Sequence, residues 1–271
     1  MKISIVIISA NELRHKFFRR KISLFKNIDV KLCLAEKNSS RQHYKIVRSN
    51  DFSKAEKKHF LDRQKSEKKY FSNFLKKNSE IKNLKIIDRG EFNLNKSIIN
   101  EIFTFNPDLI ISFGCSIIKK PIVTKYRKKF INIHLGLSPY YKGSATNFWP
   151  LVNNEPQFLG VSFLKIDKGI DTGPIIHQIR PDLHTNDDAH DIGNKLIIKT
   201  VKVLEKLVLN YKNLKGKKQK KIKKEKIFKK KDYSELALKK MKLNFENNLI
   251  KKYLNNKSKL DKKFPIIEQN L

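Results

Sequence analysis

The amino-acid sequence predicts an α/β fold in which a mostly parallel sheet is flanked by helices. Short apolar runs rich in β-branched residues, such as Lys2–Ser9, lack strict alternation, which is typical of strands buried on both faces of a sheet. Segments with apolar residues at helical spacing lie between these runs, as in Lys96–Phe105. The 271 residues, of which 39% are hydrophobic, are enough for one substantial core in one domain or two.

The chain opens with a strand and a helix. Lys2–Ser9 is the strand, and Asn11–Phe25 carries apolar residues at roughly helical spacing. A strand followed by a helix is the start of a βαβ unit. The turn between them, Ser9–Leu13, contains no glycine, so the glycine-rich phosphate-binding fingerprint of dinucleotide-binding folds is absent.

The next elements alternate in the same way. Val30–Ala35 is the second predicted strand, and Ser39–Lys77, which is polar and free of proline and glycine, is predicted to be a helical excursion. Leu84–Ile87 is a third strand. The helix Lys96–Phe105 is expected to end before Asn106-Pro107, because a residue that precedes proline is pushed out of the α region.

Two further strands end in segments that can carry chemistry. Asp108–Phe113 is followed by Gly114-Cys115-Ser116-Ile117-Ile118, which is either a plain turn or a place where a ligand approaches the backbone, since open α/β sheets bind ligands at the carboxyl ends of strands. Phe130–His134 is the next strand. In an extended segment Asn132 and His134 project from the same face, although an isolated pair of this kind is more often structural.

A loop with several uncommon residues follows this strand. Gly136, Pro139 and Gly143 punctuate it, and the only tryptophan of the chain, Trp149, comes soon after. The strand Leu159–Ile166 then leads into a loop in which Gly169 and Gly173 bracket Asp171. These glycines allow a tight loop that aims the carboxylate back at the sheet, and the alternative is an ordinary solvated aspartate.

The composition changes after Tyr211. Lys215–Lys231 is a lysine run, which is more often a solvated linker or disordered tail than an electrostatic site, and Ser234–Leu254 is predicted to form one or two short helices that pack back on the core. The predicted organisation is therefore a main domain over residues 1–211 and a short, helical, lysine-rich extension over residues 212–271.

The net charge of +34 favours a polyanionic partner such as nucleic acid, but the lysines are spread along the chain, as compositional bias produces. Cys33 and Cys115 match no metal or redox spacing, and the histidines after residue 176 form no convincing metal set. The apolar run Ile3–Ala10 is too short to span a bilayer. A cytoplasmic protein without membrane insertion and without a metal is expected.

Three motifs in order resemble the folate-dependent formyltransferase family, which includes methionyl-tRNA, glycinamide ribonucleotide and sugar N-formyltransferases. They are Asn132-Ile133-His134, Leu137–Gly143 and Gly169–Gly173. The resemblance covers roughly Lys2–Tyr211. The chain departs from the family where Gly136-Leu137-Ser138 replaces the common Ser-Leu-Leu and where Lys142 replaces a common arginine.

The resemblance implies a Rossmann-like sheet of the formyltransferase type and transfer of a formyl group from 10-formyltetrahydrofolate to a primary amine. It implies that Asn132 donates to the developing oxyanion, that His134 stabilises the oxyanion or moves a proton, and that Asp171 orients His134 and accepts the amine proton. It also implies that two segments hold the pterin ring of the folate, namely residues Cys115, Ser116, Ile117 and Ile118 and residues Asp167, Gly169 and Ile170.

The identity of the amine stays open at this point. Glycinamide ribonucleotide is disfavoured by the missing glycine-rich turn. Initiator methionyl-tRNA is favoured by the charge and disfavoured because residues 212–271 show no strand-rich pattern of a C-terminal barrel. A small amine, such as a nucleotide-linked amino sugar, is preferred by elimination. A different class of function, a catalytically inactive and basic nucleic-acid-binding module, remains as an alternative.

Overall fold

The computed structural model describes residues 2–37, 52–222 and 225–271. Seven strands form one sheet in the order β3-β2-β1-β4-β5-β7-β8. Strands β1 to β5 run parallel to one another, and β7 and β8 are each antiparallel to the strand before them in the sheet. The seven strands are β1 Ile3–Ser9, β2 Ile28–Glu36, β3 Leu84–Ile87, β4 Leu109–Phe113, β5 Phe130–His134, β7 Val161–Leu164 and β8 Ile175–Ile179.

The helices flank this sheet, which confirms the predicted Rossmann-like α/β class. Within the described residues they are α1 Leu13–Ser23, α2 Lys54–Lys77, α3 Lys96–Phe105, α4 Ile122–Tyr126, α5 Trp149–Val152, α6 Ala189–Leu209, α7 Glu235–Glu246 and α8 Leu249–Lys263. The predicted helical excursion corresponds to α2, and residues 38–51 lie outside the described part of the chain. None of these helices is both long and apolar enough to cross a membrane.

Strand β1 shows why its sequence lacks alternation. Ile5 and Ile7 belong to one hydrophobic cluster, together with side chains of α1, α2 and α6. Val6 and Ile8 belong to the cluster on the opposite face, with side chains of α3 and α4. Because both faces of the strand are buried, every position is apolar.

The lysine-rich segment does not run free along its length. Lys217 exchanges two backbone hydrogen bonds of 2.8 Å with Ile175 of β8. Further along, β9 (Lys226–Phe228) pairs in parallel with β6 (Tyr141–Gly143) to form a second, two-stranded sheet. The buried Lys142, at the position where the family commonly has arginine, forms an ion pair with Glu225 just before β9.

Aromatic stacking and the C-terminal residues complete this packing. The Phe228 ring stacks on Trp149 with the centroids 4.3 Å apart and on Tyr141 with the centroids 5.8 Å apart. The C-terminal residues cover the edge strand β8, because the Gln178 amide donates to the Ile267 carbonyl at 2.7 Å. Buried side chains after Tyr211, among them Leu214, Leu238 and Ile250, belong to the hydrophobic cluster that also contains side chains of α1, α2 and α6.

Candidate active site

The carboxyl ends of β1, β4 and β5 open into one cavity of about 1450 Å³. The loop after β7 and the loop after β5 form two of its walls, and the lysine-rich segment contributes a third. The cavity lies where parallel α/β sheets bind ligands. Asn132, His134 and Asp171 all line it.

Asn132 is oriented by a neighbour on the adjacent strand. Ser112 of β4 lies opposite Asn132 of β5 in the parallel register, and its hydroxyl donates to Asn132 Oδ1 at 2.8 Å. This hydrogen bond occupies the amide oxygen and leaves the Asn132 Nδ2 protons to donate into the cavity. Ser112 is itself buried, and its hydroxyl fixes the orientation of the Asn132 amide.

His134 is buried and held at both ring nitrogens. Its Nε2 lies 2.9 Å from the Tyr141 carbonyl oxygen, and because a carbonyl oxygen can only accept, Nε2 is the donor. Its Nδ1 lies 3.3 Å from Asp171 Oδ2. The ring therefore presents one nitrogen and the adjoining carboxylate to the cavity as a pair, and the other nitrogen is committed to the backbone.

The Asp171 loop is held from three directions. Asp171 adopts a left-handed conformation with φ of 52°, which turns its side chain back over the sheet. Its Oδ2 accepts from the Gly143 amide at 2.9 Å. The Gln219 side-chain amide, from the lysine-rich segment, donates to the Asp171 and Gly173 carbonyls at 2.7 Å each. A Cβ at Gly173 would lie 1.7 Å from the Lys165 carbonyl oxygen, so this close approach requires glycine.

Gly136 also lies in a position without space for a side chain. A Cβ there would lie 2.7 Å from His134 Nε2 and 2.7 Å from the Thr146 Cβ. Thr146 occupies this space and donates its hydroxyl to the Leu135 carbonyl. This structure therefore leaves no space at Gly136 for the serine that is common in the family.

The two segments implied to hold the folate line the same cavity as the three polar side chains. Cys115 to Ile118 follow Gly114, whose φ of +66° turns the chain sharply at the end of β4. Glu36 fixes this turn by accepting from the Ser116 backbone amide at 2.9 Å. Burial also raises the pKa of the Cys115 thiol. On the opposite wall, Asp167 Oδ1 accepts from the Gly169 amide at 3.0 Å and from the Thr172 hydroxyl at 2.8 Å, which closes the loop that carries Ile170.

An ionic network occupies the turn after β1. Arg14 and Arg63 each contact both Glu12 and Glu67, so two guanidinium groups face two carboxylates at the cavity wall. The missing glycines of this turn were visible in the sequence. The network was not, because Arg63 and Glu67 lie on α2, more than fifty residues away.

A cluster of five aromatic rings lines the cavity beside the loop that follows β6, and the sequence did not predict it. We call it the ring cluster. It consists of His59 and Phe60 of α2, Phe148 before α5, His190 of α6 and Tyr233 after β9. The His59 and His190 ring centroids are 4.5 Å apart, and the Phe148 and Tyr233 centroids are 5.1 Å apart. Burial, together with the neighbouring imidazole, lowers the pKa of His59 to about 3, and burial lowers the pKa of His190 to about 4.

These two histidines make stability depend on pH. In the unfolded chain each begins to bind a proton near the ordinary histidine pKa of 6.5, whereas the folded protein binds it only near pH 4 or below. The unfolded state therefore binds more protons over this window, so the free energy of unfolding falls as the pH falls from 6.5 towards 4. We expect the thermal midpoint to drop between pH 7 and pH 5, and we expect His59→Phe, which keeps a ring, to reduce this drop. Identical drops in the variant and in the intact protein would contradict the assignment.

The fold and the site define a class of protein. It is a parallel α/β domain whose strand ends carry an oriented amide beside an imidazole–carboxylate pair, an arrangement suited to transfer of an acyl group to an amine. A family model described as Formyl transferase matches residues 29–208, well over half of the chain. The chain belongs to the formyl transferase family, which confirms the resemblance seen in its motifs.

Individual relatives agree with this assignment. The chain is 31% identical over 122 residues to the methionyl-tRNA formyltransferase of Thermodesulfovibrio yellowstonii, covering 42% of this chain and 39% of that protein. The chain thus spans well under half the length of this curated relative. A sugar N-formyltransferase from Shewanella has a TM-score of 0.57 at 15% identity, with 88% of this chain and 87% of that chain covered. A sugar 3N-formyl transferase solved with dTDP and 5-N-formyl-THF has a TM-score of 0.53 at 22% identity, with 89% and 78% covered. At these identities the two structures establish a shared fold.

Proposed function

We propose that this chain transfers a formyl group from 10-formyltetrahydrofolate to a primary amine on a small molecule, such as a nucleotide-linked amino sugar. The observation that carries the proposal is the convergence of Asn132, His134 and Asp171 on one cavity at the carboxyl ends of the sheet, with the His134 and Asp171 side chains 3.3 Å apart. Membership of the formyl transferase family supports the reaction type.

The cavity suits the folate co-substrate. A pterin is a flat ring with a hydrogen-bonding edge, and the turn at Cys115–Ile118 and the loop at Asp167–Ile170 offer backbone groups and apolar side chains across one space. We propose that these residues, Cys115, Ser116, Ile117, Ile118, Asp167, Gly169 and Ile170, hold it. When bound, the folate supplies the activated formyl group.

The three polar side chains divide the work. Asn132 Nδ2 donates a hydrogen bond to the oxygen on which negative charge develops, and it is already oriented by Ser112. The incoming amine must be neutral to attack, and it must lose a proton afterwards. Asp171 Oδ2 and His134 Nδ1 lie together at the cavity wall, and they form the pair that accepts this proton. The Tyr141 carbonyl fixes the imidazole during this step.

The wall around the acceptor favours a small amine. Glu12 lies in the turn after β1, where the chain lacks the phosphate-binding glycines, and together with Glu67 it already binds the guanidinium groups of Arg14 and Arg63, so these groups are not free to bind a phosphate there. This argues against glycinamide ribonucleotide. Residues Lys229, Lys230 and Tyr233 complete the cavity wall from outside the part that the family model matches. We propose that residues 1–211 form the transfer domain and that residues 212–271 are an extension that shapes its cavity.

The acceptor is tested by incubating the purified chain with 10-formyltetrahydrofolate and three kinds of amine. These are nucleotide-linked amino sugars, glycinamide ribonucleotide and charged initiator tRNA. Formation of tetrahydrofolate together with a formylated amino sugar is expected. Turnover with methionyl-tRNA alone would replace the small acceptor by tRNA, a function that the match to methionyl-tRNA formyltransferases and the net charge of +34 support.

A catalytically inactive, basic nucleic-acid-binding module is the second alternative, and the net charge of +34 supports it. Its signature is RNA binding that weakens steeply with salt whatever the sequence of the RNA. Such binding, combined with no turnover of any of the three amines, would establish the alternative in place of formyl transfer.

Gln219 provides a test of how the lysine-rich segment supports the site. Its side chain donates both of its amide hydrogen bonds to the Asp171 loop, so Gln219→Ala removes two hydrogen bonds that hold Asp171 in its left-handed conformation. We expect turnover at saturating substrates to fall about tenfold, since small displacements of a catalytic group are costly. The exposed neighbour Lys220 serves as the matched control, because Lys220→Ala is expected to leave turnover unchanged. Equal turnover in both variants would show that the loop holds Asp171 without this support.

A further inference from the structure

The ring cluster lies apart from the groups that act on the formyl unit, yet it lines the same cavity. Phe148 is two residues from Thr146, whose side chain packs beside Gly136 and His134 Nε2. The cluster extends from Phe148 to Tyr233 in the segment after β9, along the wall of this cavity. Its rings come from four separate parts of the chain, so the cluster is formed by tertiary packing and not by a local sequence motif.

Two polar atoms on this path have no hydrogen-bond partner within the described residues. Both are buried, namely the Asn147 Nδ2 group and the Tyr233 hydroxyl. Asn147 lies between Thr146 and Phe148, and its Oδ1 is fixed by the Gly160 amide at 3.0 Å, so its Nδ2 protons are directed away from that bond. Buried donors that lack a partner are unfavourable, and a ligand that accepts from them gains affinity.

The electrostatics of the cluster favour a neutral, flat group. His59 and His190 are uncharged near neutral pH because of their lowered pKa values. The rings of the cluster are tilted against one another, and neutral aromatic rings that line a cavity offer π-faces to a heterocycle. Lys229 and Lys230 line the cavity just before Tyr233, and both residues are exposed, so their ammonium groups are accessible to a ligand. The nearby Glu12 is already engaged by Arg14 and Arg63.

We propose that the ring cluster is a stacking subsite for the nucleobase of the acceptor, and that Lys229 and Lys230 bind the phosphates attached to it. This inference rests on the proposed function, which it deepens by assigning the nucleotide part of the acceptor to named residues. The segment after β9, outside the part that the family model matches, selects the acceptor.

Trp149 offers a direct readout of this binding that does not depend on activity. It is the only tryptophan, and its ring lies 5.1 Å from the Phe148 ring, centroid to centroid. The experiment titrates the full chain, without folate, with UDP, dTDP, uridine, thymidine and pyrophosphate while tryptophan fluorescence is recorded. A saturable change is expected with the nucleoside diphosphates, with weaker binding of the nucleosides and of pyrophosphate, because only the diphosphates engage both the rings and the lysines.

Variants separate the contribution of the aromatic rings from that of the lysines. Tyr233→Ala is expected to weaken binding of UDP or dTDP about tenfold, and Tyr233→Phe, which keeps the ring, is expected to weaken it less. Lys230→Ala is expected to weaken the diphosphates but not the nucleosides. Lys231→Ala serves as the matched control, since Lys231 is exposed and does not line the cavity. Unchanged thermal midpoints in all four variants verify that each is folded.

Two outcomes would overturn the subsite. One is the absence of any fluorescence change with millimolar nucleoside diphosphates. The other is binding that Tyr233→Ala leaves intact or that pyrophosphate reproduces in full. These results are distinguishable from failure of the proposed function. Nucleotide binding without any formyl transfer would reject the function and keep the subsite, whereas formyl transfer to an amine without nucleotide binding would reject the subsite alone.

Discussion

Asp171→Asn is expected to lower turnover by roughly two to four orders of magnitude, the range associated with loss of a general acid or base. The substitution keeps the shape of the side chain and one oxygen that can accept from the Gly143 amide, so the loop is expected to keep its position. It removes the negative charge beside His134 Nδ1. The imidazole then has no carboxylate with which to share the proton that leaves the amine.

The measurement is turnover with saturating 10-formyltetrahydrofolate and the acceptor identified by the amine panel, together with a thermal midpoint. His134→Ala removes the other half of the pair and is expected to fall in the same range. Because the two groups act as a unit, the double variant is expected to be little slower than either single variant. Near-normal rates in both single variants, or losses that multiply in the double variant, would show that proton acceptance lies elsewhere.

Asn132 and His134, the two site residues on β5, were predictable because their placement depends on the local geometry of a strand. Alternation along β5 places Asn132 and His134 on one face whatever the rest of the chain does. Buried runs such as Lys2–Ser9 identify central strands, because a strand covered on both faces needs apolar residues at every position. The sequence also contains an indication that Ser112 belongs to the site. A serine within an otherwise apolar run, one strand away from Asn132, indicates a buried hydroxyl that needs a partner.

The remainder of the site depends on contacts between distant segments, which leave no local pattern. His59 and His190 are 131 positions apart in sequence, and only the packing of α2 against α6 brings them together. The lysine-rich segment illustrates a different difficulty. Its composition indicates solvent exposure, and most of its lysines are indeed exposed, yet Phe228 and Gln219 anchor it to the site. The composition of the whole segment is dominated by lysine, so it does not reveal that Phe228 and Gln219 contact the rest of the protein.

The predicted folate-binding residues were only partly predictable from local sequence patterns. The turn after β4 could be located from Gly114, but its ligand could not be inferred from the turn itself. The assignment of folate to this turn came from the resemblance to the formyltransferase family. The structure adds that Glu36 of β2 anchors the turn, because its carboxylate accepts from the Ser116 and Gly90 backbone amides at 2.9 and 2.7 Å. A carboxylate that binds two backbone amides fixes the position of the turn, which suits its proposed role in holding the pterin ring.

Asn132→Ala is expected to lower turnover by about two to three orders of magnitude, the loss measured when one donor to a developing oxyanion is removed. The effect should fall on turnover much more than on the KM of the amine, because in the proposed mechanism the Asn132 hydrogen bond strengthens only as charge develops on the formyl oxygen. Asn132→Asp keeps the size of the side chain and replaces the Nδ2 donor by a second acceptor. This variant is expected to be at least as slow as Asn132→Ala, since a carboxylate repels the oxyanion.

Ser112→Ala distinguishes the role of the amide from the role of its orientation. The variant keeps Asn132 but removes the hydroxyl that fixes Oδ1 at 2.8 Å, so the amide can rotate and present its oxygen to the substrate. A loss of about tenfold is expected, clearly smaller than that of Asn132→Ala, and it should be absent when Ser112→Ala is made in the Asn132→Ala background. Independent, multiplying losses would mean that Ser112 acts on the reaction by another route. Unaltered turnover in Asn132→Ala itself would show that the oxyanion is stabilised by other donors in the cavity.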